Sequence, residues 1–223
     1  MKTRPFAALL AACCMQAGAI DLAAGGGMFR LPLASMRDVR FQSTVHQQYD
    51  FSCGSAAVAT LLSYHYGYPV SEQQVFQEMF ARGDQNQIRR AGFSLLDMKR
   101  YLDARGFLAD GFEQPLAKLL EAGLPAIVLV SENGYHHFVV IKGMAGGRVL
   151  LGDPASGTHA LALGAFERIW LNRLLFVVHN RPAQARFNTV ADWRAAPRAQ
   201  LGEAIARDGL GNVTLPMHSN GDK

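Results

Sequence analysis

Residues 47–57 read QQYDFSCGSAA, and they place a cysteine where a helix is expected to begin. From Cys53 to Tyr66, small and apolar residues recur with helical spacing, and Gly67 is a typical helix stop. The free amides and partial positive charge of a helix N-terminus favour a cysteine thiolate. Gln47 supplies an amide that is suited to holding an oxyanion. The stretch therefore predicts a nucleophilic cysteine at the start of a buried helix.

Cys53 is the one cysteine expected in the mature chain. The sequence contains three cysteines, and the other two, Cys13 and Cys14, lie in an apolar run behind a positively charged start. Residues 17–19 read AGA, which fits signal peptidase cleavage, so residues 1–19 are predicted to be a signal peptide. Exported domains usually pair their cysteines, so a lone thiol is either a buried apolar side chain or a functional group.

An alternative interpretation of the N-terminus predicts a lipid anchor. Residues 10–13 read LAAC, which also resembles a lipoprotein processing box with Cys13 as the lipidated residue. In both interpretations the folded part is exported, to the periplasm or to the membrane surface that borders it. No later segment is long and apolar enough to cross a bilayer, so no transmembrane segment is expected.

The composition predicts a protein without a nucleic-acid partner or a metal. Lys and Arg number 22 against 18 Asp and Glu, and the net charge of +4 falls to +2 when Lys2 and Arg4 leave with the signal peptide (4 − 2). This charge is too small to indicate nucleic-acid binding. The sequence has no CxxC pair, HExxH motif or phosphate-binding glycine loop, so no metal or cofactor is expected.

Four segments are predicted along the chain. The signal peptide at 1–19 is followed by a linker and N-terminal segment at 20–43, and the folded domain is expected at 44–180. The last segment, 181–223, is predicted to be a helical extension with a disordered tail. Its amphipathic stretch runs from Val190 to Ala206.

The pattern within the folded domain predicts an α+β fold, with helices first and an antiparallel sheet second. Ser71 with Gln74, and Ser94 with Asp97, form capping boxes that start two helices after the Cys53 helix. A shorter helix is expected over 115–122. Apolar runs typical of strands follow at 126–130, 138–141, 149–151 and 174–178.

A histidine and an aspartate are candidate partners for the cysteine. His136 and His137 open an apolar strand, and because side chains alternate along a strand only one of them can face Cys53. The alternation alone does not choose between them. Asp153 follows a predicted strand, where its carboxylate can reach an imidazole Nδ1–H and fix the ring. Because Pro154 comes next, the aspartate is equally typical of a turn.

Residues from about 44 to 178 resemble the C39 peptidase family of papain-like cysteine peptidases. The family has a glutamine before Cys-Gly, a helix that ends in Tyr-Gly, a histidine before an aromatic residue and two valines, and a later Asp-Pro. The matching residues here are Gln47, Cys53-Gly54, Tyr66-Gly67, His137-Phe138-Val139-Val140 and Asp153-Pro154. Residues 92–102, GFSLLDMKRYL, further resemble stand-alone exported members, including the peptidase encoded with a bacterial functional-amyloid secretion system.

The resemblance implies a papain-like α+β fold and cleavage of a peptide bond in an exported polypeptide, such as an amyloid or secretion-system component. It implies that Cys53 is the nucleophile and that His137, rather than His136, is the general base and acid. Asp153 would orient the imidazole. Gln47, with the Cys53 amide, would hold the oxyanion.

The chain also departs from the family pattern. Exporter members carry an aspartate directly before the cysteine, where this chain has Ser52, and they are fused to a transporter and cut after a double glycine. A double-glycine leader is therefore not the expected substrate. Two other functions stay open: a non-catalytic module that docks a secretion substrate, and a transferase or amidase that uses the same thioester chemistry.

Overall fold

The N-terminal part of the chain forms a strand pair and a short helix before Cys53 is reached. The computed structural model describes residues 19–24, 27–32, 35–132 and 134–197. Strands β1 (Ala19–Ala24) and β2 (Gly27–Pro32) pair in antiparallel fashion, and helix α1 (Met36–Phe41) follows. These elements occupy most of the segment that the sequence predicts to be a linker. The predictions for the signal peptide before residue 19, for Cys13 and for the tail beyond residue 197 fall outside the described residues.

Four helices follow, and the first of them begins at Cys53. They are α2 (Cys53–Thr60), which continues in a π-helical turn (Leu61–His65), α3 (Glu72–Arg82), α4 (Gln85–Ala91) and α5 (Leu95–Asp103). Both predicted capping boxes are present, with Ser71 and Gln74 at the start of α3 and Ser94 and Asp97 at the start of α5. Each box satisfies backbone amides that a helix start leaves unpaired.

The second half of the domain is a six-stranded antiparallel sheet with two more helices. The elements are β3 (Ala109–Glu113), α6 (Leu116–Ala122), β4 (Ala126–Glu132), β5 (Tyr135–Ala145), β6 (Arg148–Asp153), β7 (Gly157–Ala162), α7 (Leu163–Ile169) and β8 (Leu174–Val178). The strand order is β3-β8-β4-β5-β6-β7. The predicted α+β layout with an antiparallel sheet is confirmed.

Strand β5 divides its side chains between two apolar cores. Phe138 and Val140 belong to the core that also contains α2, α3 and α5, whereas Val139 belongs to the core with α6 and α7. Because side chains alternate, His137 takes the face of Val139. Leu151 of β6 belongs to that second core as well, so Asp153, two residues later, takes the same face. The sheet thus puts the histidine and the aspartate on one side.

The described part of the C-terminal segment contains a 3₁₀ turn (Pro182–Gln184) and helix α8 (Val190–Arg194). Pro197 explains why α8 ends before it, since the residue before a proline is driven out of helical geometry. The predicted amphipathic stretch runs on to Ala206, and its part beyond residue 197 lies outside the described residues. No helix in the described part of the chain has the length and apolarity to span a bilayer.

Candidate active site

Cys53 is the first residue of α2 and lies in the wall of a cleft. Its side chain is 6% exposed, and every residue of α2 is buried. Burial raises the pKa of the Cys53 thiol above its ordinary value, although the backbone N–H groups of Phe138 and Gly54 oppose this rise. The negative charge of Asp153 raises the pKa further. The sequence favours a thiolate at a helix start, but in this environment desolvation dominates and the resting thiol keeps its proton.

His137 and Asp153 form a buried pair on one face of the sheet. Nε2 of the imidazole lies 3.4 Å from Oδ2 of the carboxylate, and both side chains are almost fully buried. The prediction that Asp153 reaches Nδ1 is therefore wrong, because the carboxylate approaches the ring from its Nε2 side. Nδ1 is buried and has no hydrogen-bond partner among the described residues. It is the nitrogen that can still accept a proton.

Asp153 is held as a carboxylate by several donors. The Ala155 amide donates to Oδ1 at 2.7 Å, and the Ser156 hydroxyl donates to Oδ2 at 2.9 Å. Burial alone would raise the pKa of Asp153, but the hydrogen bonds from His137, Ala155 and Ser156 outweigh it and lower the pKa to about 2. Asp153 is therefore negatively charged at neutral pH and is suited to fixing the ring of His137.

The structure separates the two adjacent histidines. His137 contacts Asp153, whereas His136 is exposed, takes the opposite face of β5 and lines the cleft beside Cys53. Only His137 has the carboxylate partner that orients a catalytic imidazole. The geometry therefore favours His137, the choice that the resemblance implied and that strand alternation left open.

Gln47 is tied to the strand end that carries Asp153. Its backbone N–H donates to the Pro154 carbonyl at 3.0 Å, and its side-chain Nε2 donates to the Tyr49 carbonyl at 3.1 Å. Gln47 is half-buried and Gln48 is exposed, which agrees with the choice of Gln47. Because Nε2 already bonds within its own loop, it must leave the Tyr49 carbonyl before it can donate to an oxyanion.

Tyr135 belongs to the site although sequence reasoning did not find it. Its ring stacks on His137, with centroids 5.6 Å apart and planes at 26°, and its hydroxyl donates to the Asp50 carbonyl at 2.7 Å. Burial raises the pKa of the Tyr135 hydroxyl, with a further rise from the charges of Cys53 and Asp50. The available signal was its position two residues before His137, since such residues share a strand face.

A cleft of about 450 Å³ opens at Cys53. It is lined by Asp50, Phe51, Cys53, Arg89, Arg90, Ala91, Gly92, Tyr135 and His136. Within residues 35–132 and 134–197, no three His, Cys, Asp or Glu side chains converge as metal ligands would. The cleft offers a thiol and room for a short stretch of polypeptide, and Tyr135 in its wall stacks on the oriented imidazole of His137.

Comparison with known proteins identifies the family of the chain. Residues 42–182 match the model of the peptidase C39 family. The chain is 45% identical over 154 residues to a Pseudomonas aeruginosa protein named "Probable functional amyloid protease FapD", an alignment that spans 69% of this chain and 68% of the relative. A Pseudomonas fluorescens protein of the same name is 40% identical over 160 residues, which span 72% and 70% of the two chains.

A solved structure shares the fold. The crystal structure of the peptidase domain of Streptococcus ComA, a bifunctional ABC transporter involved in quorum sensing, superposes with a TM-score of 0.50 at 21% identity. The match covers 60% of this chain and 95% of that domain. This match shows that the two proteins share the arrangement of helices and strands.

Proposed function

The chain belongs to the peptidase C39 family and is a cysteine peptidase of papain-like α+β fold, and from this premise we propose that it is an endopeptidase that cuts an exported polypeptide through a thioester on Cys53. The observation that carries the proposal is the buried His137–Asp153 pair, which leaves Nδ1 unpaired on the strand whose Phe138 backbone N–H bonds the Cys53 sulfur. A catalytic imidazole needs this combination of one fixed nitrogen and one free nitrogen.

The proposed reaction begins when Nδ1 of His137 takes the proton of the Cys53 thiol. The thiolate attacks the carbonyl carbon of the scissile bond, and the Cys53 backbone N–H with the Gln47 amide holds the oxyanion. His137 then gives its proton to the leaving amine, which departs and leaves a thioester. Water, deprotonated by His137, hydrolyses the thioester and returns the thiol with release of a carboxylic acid. None of these steps requires a cofactor.

We place the substrate among exported polypeptides. Two relatives with 45% and 40% identity carry the name of a functional amyloid protease, which supports an amyloid or secretion component as the target. The signal peptide predicted at 1–19 supports the periplasm as the place of cleavage.

The experiment that tests this function compares the exported proteins of cells that carry the wild-type chain with those of cells that carry Cys53→Ala. Mass spectrometry of peptide termini should reveal ends present only with wild type, and these ends identify the target. Products that together gain one water relative to the parent indicate hydrolysis, whereas amine-linked products indicate transfer. Identical sets of termini in the two strains would refute the proposed function.

A further inference from the structure

We propose that the cleft at Cys53 selects polypeptides with an acidic side chain close to the scissile bond, and that Arg89 and Arg90 read this charge. The inference rests on the proposed function and adds a substrate class to it. The arginines and Cys53 line one cleft of about 450 Å³, and an extended chain advances about 3.4 Å per residue, so the acidic residue is expected within about three residues of the bond.

The charges in the cleft wall favour an anionic segment. Arg89 and Arg90 both line the cleft beside Cys53, against a single carboxylate from Asp50. Both arginines are exposed, and neither forms an ion pair with a carboxylate of the described residues within 4 Å. The guanidinium groups can therefore bind a carboxylate from outside the chain, and guanidinium can do so with two parallel hydrogen bonds.

Local packing holds the two arginines at the cleft. The Arg89 guanidinium lies over the Phe80 ring, 5.0 Å from its centroid, and Nε of Arg90 donates to the Asn86 carbonyl at 3.2 Å. Phe80 of α3 stacks on Phe76, and both rings pack against the buried core that contains α2 and α5. The side chains are thus directed by contacts within the domain, which lowers the entropy lost when they bind a partner.

The link after α4 brings these arginines against the cysteine loop. Gly92 follows α4 with φ of +78°, and a Cβ there would lie 3.3 Å from the Phe51 carbonyl. A side chain would therefore both strain the backbone and press on the loop that leads to Cys53. The close approach sets the arginine-bearing helix end beside the nucleophile, where a substrate has to lie during attack.

The size of the effect follows from the setting of the arginines. Exposed ion pairs contribute little, and a cleft strengthens them by partial exclusion of water, so we expect about a three- to tenfold preference for acidic residues. Salt screens such contacts, so the preference should shrink as ionic strength rises. A preference set by apolar packing would not respond to salt in this way.

The test uses the full chain and a chymotryptic peptide library of a bacterial proteome, which keeps Asp, Glu, Lys and Arg inside its peptides. New peptide termini that are absent when Cys53 is replaced by alanine are mapped by mass spectrometry. The proteins compared are wild type, Arg90→Glu and the Arg89→Glu/Arg90→Glu double variant. Wild type should enrich Asp and Glu near the cut. The double variant should lose this enrichment and favour Lys and Arg, with the single variant between them.

Arg168→Glu is the matched control, because Arg168 is an exposed arginine on α7 that does not line the cleft. It should keep the wild-type preference. Cys53-dependent cuts without acidic enrichment, or the same enrichment in the double variant, would overturn this inference and leave the peptidase function standing. If wild type makes no Cys53-dependent cut in the library, the proposed function and the inference fall together.

Discussion

From the residues around Cys53 we infer that its reactivity depends on a partner. Desolvation raises the pKa of the thiol even though backbone N–H groups of Phe138 and Gly54 favour the thiolate. The helix start alone therefore does not make an anion of the sulfur. The thiol and Nδ1 of His137 share no hydrogen bond in the structure, and catalytic hydrogen bonds commonly tighten only when substrate binds.

The charge of Asp153 also has a consequence for stability. The pKa of Asp153 in the folded chain is about 2, below the ordinary value of an aspartate. The carboxylate therefore stabilises the fold at pH values above its pKa in the unfolded chain, and this stability is lost as the pH falls toward 2. The shift corresponds to about 2 kcal/mol of unfolding free energy. Asp153→Asn should therefore lower the unfolding free energy by about this amount at pH 7.

Urea denaturation of wild type and Asp153→Asn between neutral pH and about pH 2 measures this contribution. The difference between the two proteins should narrow below about pH 4. Asp84→Asn is a suitable control, because Asp84 is exposed and is a helix N-cap in which asparagine serves as well. A difference in unfolding free energy that stays constant from neutral pH to about pH 2 would contradict a pKa of about 2 for Asp153.

Sequence reasoning named the candidate site residues but not the details of their contacts. The structure pairs His137 with Asp153, joins Gln47 to Pro154 and puts Cys53 at the start of α2. Small residues, strand alternation and a strand end are the local signatures behind these predictions. Which imidazole nitrogen faces the carboxylate, and the stacking of Tyr135, depend on contacts between distant segments. Such contacts have no local pattern.

At the scale of elements, prediction succeeded where a helix or strand carries its own start signal or a long apolar run. The capping boxes of α3 and α5 and the apolar run of β8 are examples. Strand β3, with the sequence ADGFE, was missed because Asp and Gly disfavour strands, and only pairing with β8 makes it one. Helix α4 was also missed, although Asp84 accepts bonds from two amides at its start and could have indicated it.

The capping box of α5 gives a prediction at this scale. Ser94 Oγ accepts from the Asp97 amide at 3.2 Å, and Ser94 N–H donates to the Asp97 carboxylate at 2.9 Å. Ser94→Ala removes the hydroxyl and should lower the unfolding free energy by about 1 kcal/mol. Ser94→Thr retains the hydroxyl and should lose much less. Equal losses in the two variants, measured by urea denaturation, would contradict the capping role.

At the scale of the whole molecule, the segment from Arg186 to Ala196 is tied to the sheet. Asn188 bonds both backbone groups of Met144, and Asp192 forms an ion pair with Lys142 of β5. Lys142 is fully buried, and burial lowers the pKa of its ammonium while Asp192 opposes the change. The same strand carries His137, so this segment supports the strand on which the site is built.

Breaking this ion pair should destabilise the whole domain. Asp192→Ala leaves Lys142 buried without its carboxylate, and loss of one partner of a buried pair costs about 3–5 kcal/mol. The double variant Lys142→Met/Asp192→Ala removes both charges and should recover most of the loss. Thermal unfolding of the two variants measures this difference. A double variant no more stable than Asp192→Ala would show that the ion pair is not what stabilises the segment.

The central claim, that Cys53 reacts through His137, is tested most directly by the rate at which iodoacetamide alkylates Cys53 as a function of pH. The modified cysteine is identified by peptide mass spectrometry in wild type, His137→Ala and His136→Ala. His137→Ala removes the proton acceptor, and because burial keeps the thiol protonated, alkylation at neutral pH should slow by about tenfold or more. His136→Ala should be alkylated at close to the wild-type rate. Alkylation of His137→Ala as fast as wild type at every pH would contradict the claim.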